Sequence, residues 1–414
     1  MRITGNEAVS ATETLGFWQR LMFRALEKNI QQGYLVLEQN GQTWAFGDAH
    51  SDCRALVEIR DPAVYKEFVL GGGLGAAEAY VLKLWDTHDL TAVVQVFARN
   101  LDAIDNNPFL LSFRKALSWL DHKFNRNTIN QSRRNIAAHY DLGNPLFEKF
   151  LDPHMMYSAA IYPAAGASLE DAQTFRLHRI CQKLDLQPDD HLLEIGTGWG
   201  GMAIFAAKHY GCKVTTTTIS QQQFDYAKER VAAEGLTDRI TLLLQDYRLL
   251  EGKYDKLVSL EMIEAVGHEY LSTYFKKCDA LLKPHGAMLL QAITIADQRY
   301  DYYRKSVDFI QKYIFPGGAL PSIARMAHEV SKATQMTVKH LEDFGPHYAR
   351  TLKDWRERFN RQSEALHDMG YDEAFQRLWN YYFAYCEGGF WERNIGVAQL
   401  LLAKPDNRRE SVMP

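Results

Sequence analysis

The chain has 414 residues, 46% of them hydrophobic and 24% charged, with a formal net charge of −4. That length exceeds what one hydrophobic core usually organises, so two domains are expected, and the composition is that of a packed globular protein. The slight acidic excess excludes a broad nucleic-acid-binding surface, so no nucleic acid is expected as a partner.

Residues Met1 to Gly16 lack the charged start and apolar stretch of a secretory signal, and no window reaches the ~18 apolar residues of a membrane span. The five cysteines, Cys53, Cys181, Cys212, Cys278 and Cys386, are scattered and never form Cys-x-x-Cys, so neither a disulfide framework nor a metal site is expected. A cytoplasmic location follows as the expectation.

In chain order, the first elements form a small α+β unit. Gly33 to Gly47 alternates apolar and polar residues around Asn40-Gly41, the signal of a tight hairpin, and Pro62 to Leu70 starts a helix. Between Arg114 and Arg134, Arg114, Lys115, Lys123, Arg126, Arg133 and Arg134 face one acid, Asp121, with Trp119 and Phe124 interleaved. Such a segment is either a solvated linker or a dock for an anionic lipid surface. The boundaries expected are an accessory domain over 1–110, a basic linker over 111–135 and a catalytic domain over 136–414.

From about residue 180 the pattern repeats strand, turn, helix, which predicts an α/β fold with a mostly parallel sheet and helices on both faces. Strands are expected at His191–Ile195, Lys213–Thr218, Ile240–Leu244, Lys256–Leu260, Ala287–Thr294, Thr337–Leu341 and Val397–Ala403, seven in all. Helices are expected at Gln221–Glu234 and Glu269–Leu282. Ligands of such sheets sit beyond the carboxyl ends of the central strands.

There the first strand runs into Glu194-Ile195-Gly196-Thr197-Gly198-Trp199-Gly200-Gly201. Glycines let the backbone approach a nucleotide closely. The spacing is not the Gly-x-Gly-x-x-Gly of dinucleotide sites, and Glu194 would be awkward beside a pyrophosphate. S-adenosylmethionine carries no phosphate, and its ammonium group tolerates a carboxylate, so it is the cofactor expected. Asp246 and Tyr247, after the third strand, offer a carboxylate and a ring suited to adenine; a polar strand-end turn is the plain alternative. The second strand ends without the usual ribose-binding acid, which leaves Ser220 and Gln223 as substitutes.

Several segments then match one pattern: His139-Tyr140-Asp141-Leu142-Gly143-Asn144, Met156-Tyr157-Ser158, Glu194 to Gly201, Thr218-Ile219-Ser220, Leu244 to Arg248, Ile263 to His268, Lys312 to Gly317, Leu320 to Ser322 and Phe344 to Tyr348. Together they resemble the cyclopropane fatty acid synthase family. The resemblance implies a class I, Rossmann-like methyltransferase sheet with a lipid-presenting amino-terminal domain, and a homodimer is possible. It adds Tyr157, Ser158, Gly196, Gly198, Gly200 and Thr218 to the cofactor site. The implied substrate is the cis double bond of an unsaturated phospholipid acyl chain, met peripherally at the inner face of the membrane.

Methylation of an alkene leaves a carbocation, for which Tyr247, Tyr313, Phe315 and Tyr348 are candidate aromatic neighbours, and the family is similar in using bound bicarbonate to take the proton. Carried over, Glu264 would hold the bicarbonate hydroxyl, and Tyr348 and the Ile293 backbone N–H its other oxygens. Two positions depart from the pattern: Ala159 stands for a cysteine and Gln291 for a histidine. An amide cannot relay a proton as imidazole does, so Gln291 points to a methyl-branched or other non-cyclopropane product. The alternatives are a methyltransferase of a soluble molecule, with Tyr300 to Ser322 as a lid, and an inactive lipid-binding relative.

Overall fold

The computed structural model describes residues 15–101, 103 and 142–409, which gather into two compact units. The basic segment Arg114–Arg134, the linker expected over 111–135 and His139 to Asp141 lie outside the described residues.

The first unit holds a sheet of order β2-β1-β3-β4, formed by β1 (Tyr34–Gln39), β2 (Gln42–Gly47), β3 (Arg54–Ile59) and β4 (Trp85–Asp86). β1 and β2 are antiparallel, and their two-residue turn sets Asn40 at φ 51° and Gly41 at φ 76°. Both lie in the left-handed region that Asn-Gly enters most readily, so the hairpin follows from local chemistry. The helix expected from Pro62 runs on over Ala63–Val81 and bends at Gly72 (φ 56°, ψ −136°), a conformation open to glycine alone.

This unit is not contiguous in sequence, contrary to the expected division at residues 110 and 136. Residues 308–316 and 363–392 join it. The Glu373–Trp391 helix packs on the Leu90–Arg99 helix so closely that a Cβ on Gly388 would lie 2.6 Å from Val94. Buried Thr91 donates to Glu387 at 2.9 Å, and Gln95 and Arg99 bind Glu392 at 2.8 and 3.0 Å. Lys312 and the Tyr313 hydroxyl both donate to buried Glu78 at 2.7 Å. Helical periodicity marks these segments as helices but does not say which core they join.

The second unit is built on a seven-stranded sheet of order β10-β11-β9-β8-β5-β6-β7. Its strands are β5 (His191–Ile195), β6 (Lys213–Thr218), β7 (Ile240–Leu244), β8 (Tyr254–Leu260), β9 (Leu282–Ile295), β10 (Thr337–Asp343) and β11 (Ile395–Ala403). Only β11 runs against the others.

Alternation along the strands feeds two cores. Leu192, Val258, Leu289 and Leu401 pack with the Gly201–Tyr210 and Leu169–Leu184 helices. Their neighbours Leu193, Leu257, Leu290 and Leu400 pack with the Leu271–Leu281 and Ile323–Ala333 helices. Both faces are covered, as the near-continuous apolar strands require. From β5 the chain steps outward to β6 and β7, then returns to β8 on the other side of β5. Strand order therefore reverses between β5 and β8, and a crevice for ligands opens at their carboxyl ends.

Candidate active site

β5 delivers Glu194 and the glycine turn to this crevice. Gly196, Gly198 and Gly200 have φ of 105°, 52° and 86°, so three of five consecutive residues need the left-handed region. The N–H groups of Gly196 and Thr197 are tied back to the Thr217 carbonyl at 3.1 and 3.0 Å, which fixes the loop against β6. A side chain at Gly201 would strike the His154 carbonyl at 2.4 Å, so the following helix starts in close backbone contact. Glu194 is buried and accepts one hydrogen bond, from Thr216 Oγ1 at 2.6 Å. Burial pushes its carboxyl up to about 8.

The other expected cofactor residues fall into separate clusters. Thr218 donates to the Gln223 side chain at 2.9 Å, and Ser220 caps the Gln221–Ala233 helix by accepting from the Gln223 N–H, so these three meet after β6. Asp246 is engaged by Arg248 at 2.6 and 2.9 Å, while the Tyr247 ring packs edge-on against Tyr274. Tyr157 sits against Phe147 and Trp355, with ring centroids 5.2 Å apart in each case, and Trp355 in turn meets Tyr348 at 6.0 Å. A continuous run of rings thus links Tyr157 to Tyr348. Ser158 Oγ is buried without a partner among the described residues.

The residues expected around the base lie at the ends of β8 and β9. Glu264, in the turn after β8, accepts from the Ile293 N–H at 2.5 Å, and its second oxygen is buried without a partner among the described residues. Burial, then the neighbouring charge of Glu261, pushes the Glu264 carboxyl up to about 8. Tyr348 does not turn to Glu264; its hydroxyl donates to Glu261 at 2.8 Å. Gln291 donates to the other Glu261 oxygen at 2.7 Å, as does the Ala159 N–H at 2.9 Å. The expected residues do come together, but on a carboxylate that the sequence reading passed over.

Comparison with known proteins places this geometry. The family model described as mycolic acid cyclopropane synthetase matches residues 127–400. The chain belongs to that family. It is 38% identical over 373 residues to the tuberculostearic acid methyltransferase UfaA1 of Mycobacterium tuberculosis, covering 87% of this chain and 86% of the relative. It is 37% identical to the cyclopropane-fatty-acyl-phospholipid synthase of Escherichia coli K12, covering 86% and 89%. Among solved structures, the mycolic acid cyclopropane synthase CmaA1 complexed with SAH and CTAB superposes with a TM-score of 0.60 at 30% identity, over 66% of this chain and 98% of that one. The cyclopropane synthase MmaA2 from Mycobacterium tuberculosis gives 0.59 at 31% identity, over 66% and 98%. The enzyme is therefore an S-adenosylmethionine-dependent methyltransferase similar to the cyclopropane fatty acid synthases.

Behind Glu261 this methyltransferase carries a buried polar chain. Gln291 accepts from Gln399, its cross-strand partner on β11, at 2.9 Å, and from Arg176 at 3.4 Å. Arg176 is fully buried and is held by Gln173 at 2.8 and 3.0 Å, while Gln399 accepts from Lys183, which also binds Glu342. A visible signal for Glu261 was its position immediately after the apolar strand β8, close to the place that Glu194 takes at the end of β5. Arg176 and Lys183 gave a fainter one, as cations on the helix face that carries Leu177 and Ile180.

Proposed function

We propose that this methyltransferase acts on the cis double bond of an unsaturated phospholipid acyl chain, reached from a membrane surface at the cytoplasmic side. S-adenosylmethionine supplies the electrophilic methyl group. The protein then has to shelter a carbocation and remove one proton. The observation that carries this reading is the pair of half-buried acids, Glu261, bound by the Tyr348 hydroxyl, and Glu264, on either side of Met262 in sequence, whose Cβ would lie 3.3 Å from a side chain at Gly196. A proton acceptor thus stands next to the cofactor turn. The rings of Tyr157, Trp355 and Tyr348 can attract a cation by about 2 kcal/mol each in a dry site. No described helix is long and apolar enough to cross a membrane.

The residues present do not fit the bicarbonate expected as base. The donors of Ala159, Gln291 and Tyr348 are spent on Glu261, and the Ile293 N–H is spent on Glu264. No step is therefore routed through that ion.

The test is incubation of the protein with S-adenosylmethionine and vesicles of dioleoyl phosphatidylglycerol and phosphatidylethanolamine, followed by mass spectrometry of the fatty acid esters. A gain of one CH₂ on the oleoyl chain is expected. Resistance of the product to hydrogenation identifies a cyclopropane, and uptake of hydrogen a branched alkene, the outcome that Gln291 favours. Cofactor binding with no mass gain would move the substrate to a soluble molecule.

A further inference from the structure

Of the five residues that the resemblance assigns to bicarbonate, three direct their donors at a single side chain. Glu261 Oε1 accepts from the Ala159 N–H and Gln291 Nε2 at 2.9 and 2.7 Å, and Oε2 accepts from the Tyr348 hydroxyl at 2.8 Å. A carboxylate presents the same planar O–C–O fork as bicarbonate. We propose that Glu261 is the catalytic base of this enzyme, its carboxylate taking the proton that a bound bicarbonate would otherwise take. The inference rests on the function proposed above and concerns the same site.

The backbone supports it. Glu261 has φ 49°, a left-handed conformation that non-glycine residues rarely adopt, and its N–H is pinned to the Gln291 carbonyl at 2.8 Å. Strain of this kind persists where the surroundings hold it and clusters at functional sites. Here it turns a long acidic side chain back toward Ala159 and Tyr348. Sequence places Glu261 beside Met262, which packs at Gly196, so the carboxylate stands next to the cofactor turn.

Electrostatics assign the roles of the two acids. Glu261 has three donors, with buried Arg176 behind Gln291, and these oppose the rise that burial causes. Glu264 accepts from the Ile293 N–H alone among the described residues and faces Glu261, so of the two acids Glu264 is the one that holds its proton and Glu261 the one equipped with donors to carry charge. Burial still raises the Glu261 carboxyl above its ordinary value, which makes it a stronger base than a surface glutamate.

The step balances without a further reagent. The alkene π pair bonds to the methyl carbon, the carbon–sulfur bond breaks with its pair left on sulfur, and positive charge falls on the second alkene carbon. Glu261 takes a proton from the new methyl or from the adjacent chain carbon. The freed C–H pair closes the cyclopropane in the first case and forms a double bond in the second. Glu261 afterwards releases the proton to solvent.

Two readouts test this, one independent of lipid. With S-adenosylhomocysteine bound, ¹³C-bicarbonate should give no bound NMR signal with the wild type and a bound signal with Glu261→Gly, since glycine adopts φ 49° freely and vacates the fork. A bound signal in the wild type, or none in a Glu261→Gly protein that still binds the cofactor product calorimetrically, overturns the proposal. In turnover, Glu261→Gln should lose about 100-fold or more with cofactor affinity unchanged, as removal of a general base does. Added bicarbonate should restore Glu261→Gly and leave the wild type indifferent. A wild-type rate that tracks bicarbonate, or a Glu261→Gln enzyme that keeps its rate, overturns the proposal as well. Absence of modified lipid from the wild type would count against the proposed substrate, and the labelled-bicarbonate measurement would still decide the role of Glu261.

Discussion

The glycine-turn end of the crevice, at β5 and β6, and the end at β8 and β9 each hold a glutamate at the close of an apolar strand, Glu194 buried within β5 and Glu261 half-buried just after β8. Their surroundings differ. Glu194 has one hydroxyl donor, Thr216, and burial carries its carboxyl up to about 8. Glu261 has an N–H, an amide and a phenol on its two oxygens, with Arg176 one residue further back. Burial alone makes a carboxylate hold its proton, and the number of donors decides whether it can keep a charge instead. Glu194 therefore holds its proton until a cation arrives, whereas the donors around Glu261 oppose the rise that burial causes there.

The sharpest way to break this contrast is to neutralise each acid in turn. Beside the loss of about 100-fold in turnover expected for Glu261→Gln, Glu194→Gln should weaken S-adenosylmethionine binding by roughly 1–3 kcal/mol and leave turnover at saturation little changed. Calorimetry and steady-state kinetics together check the pair; a Glu194→Gln enzyme with normal affinity and lost turnover would erase the distinction. If Glu194 ionises only on meeting the cofactor ammonium, binding near pH 7 should release close to one proton, read from the dependence of binding heat on buffer. Glu194→Gln should release none.

Stability should carry the same signature. Glu194 and Glu264 both titrate near 8 in the fold, above the ordinary glutamate value of 4.5. The unfolded chain thus loses these protons first, so their contribution is complete below pH 4.5 and is lost as pH rises to about 8. Denaturant unfolding of the cofactor-free enzyme should become easier across that window, by at most about 1.4 kcal/mol per pH unit for each group. Glu264→Gln should flatten the slope, and a slope that is unchanged in this variant would contradict the assignment.

The smallest effect is expected at Gln291. Its amide donates to Glu261 and accepts from Gln399 and Arg176, a relay that an imidazole would meet with a different geometry and a possible charge. Gln291→His should slow turnover several-fold and shift the ratio of cyclopropane to branched alkene, measured by gas chromatography of the esters. An unchanged ratio would remove Gln291 from the choice of product.

Much of the second unit was legible before any coordinates. β5, β6 and β7 begin and end at the residues expected, because short apolar runs bounded by glycine or polar turns leave little choice of boundary. β8 and β9 start earlier than expected, at Tyr254 and Leu282, where Lys256 and Pro284 interrupt the apolar pattern. The glycine turn was legible for a similar reason, since positive φ leaves a mark in composition.

Glu261 was not legible, because its partners Ala159, Gln291 and Tyr348 come from three distant segments and its own φ has no counterpart in a glutamate codon. Nor did the residue pattern disclose that Arg248 holds the Asp246 carboxylate, or that Tyr313 belongs to the first unit through Glu78. Each depends on which chain segment a side chain meets, and periodicity is silent on that.

The interrupted sequence of the first unit bears on how the protein is made. Its sheet and the Leu90–Arg99 helix leave the ribosome well before the Glu373–Trp391 helix that covers Val94 and binds Thr91 and Arg99. Until that helix is made, the surface it covers is open to aggregation or to chaperones. A fragment ending at residue 110 should accordingly be insoluble alone and be rescued by co-expression with the remainder of the chain.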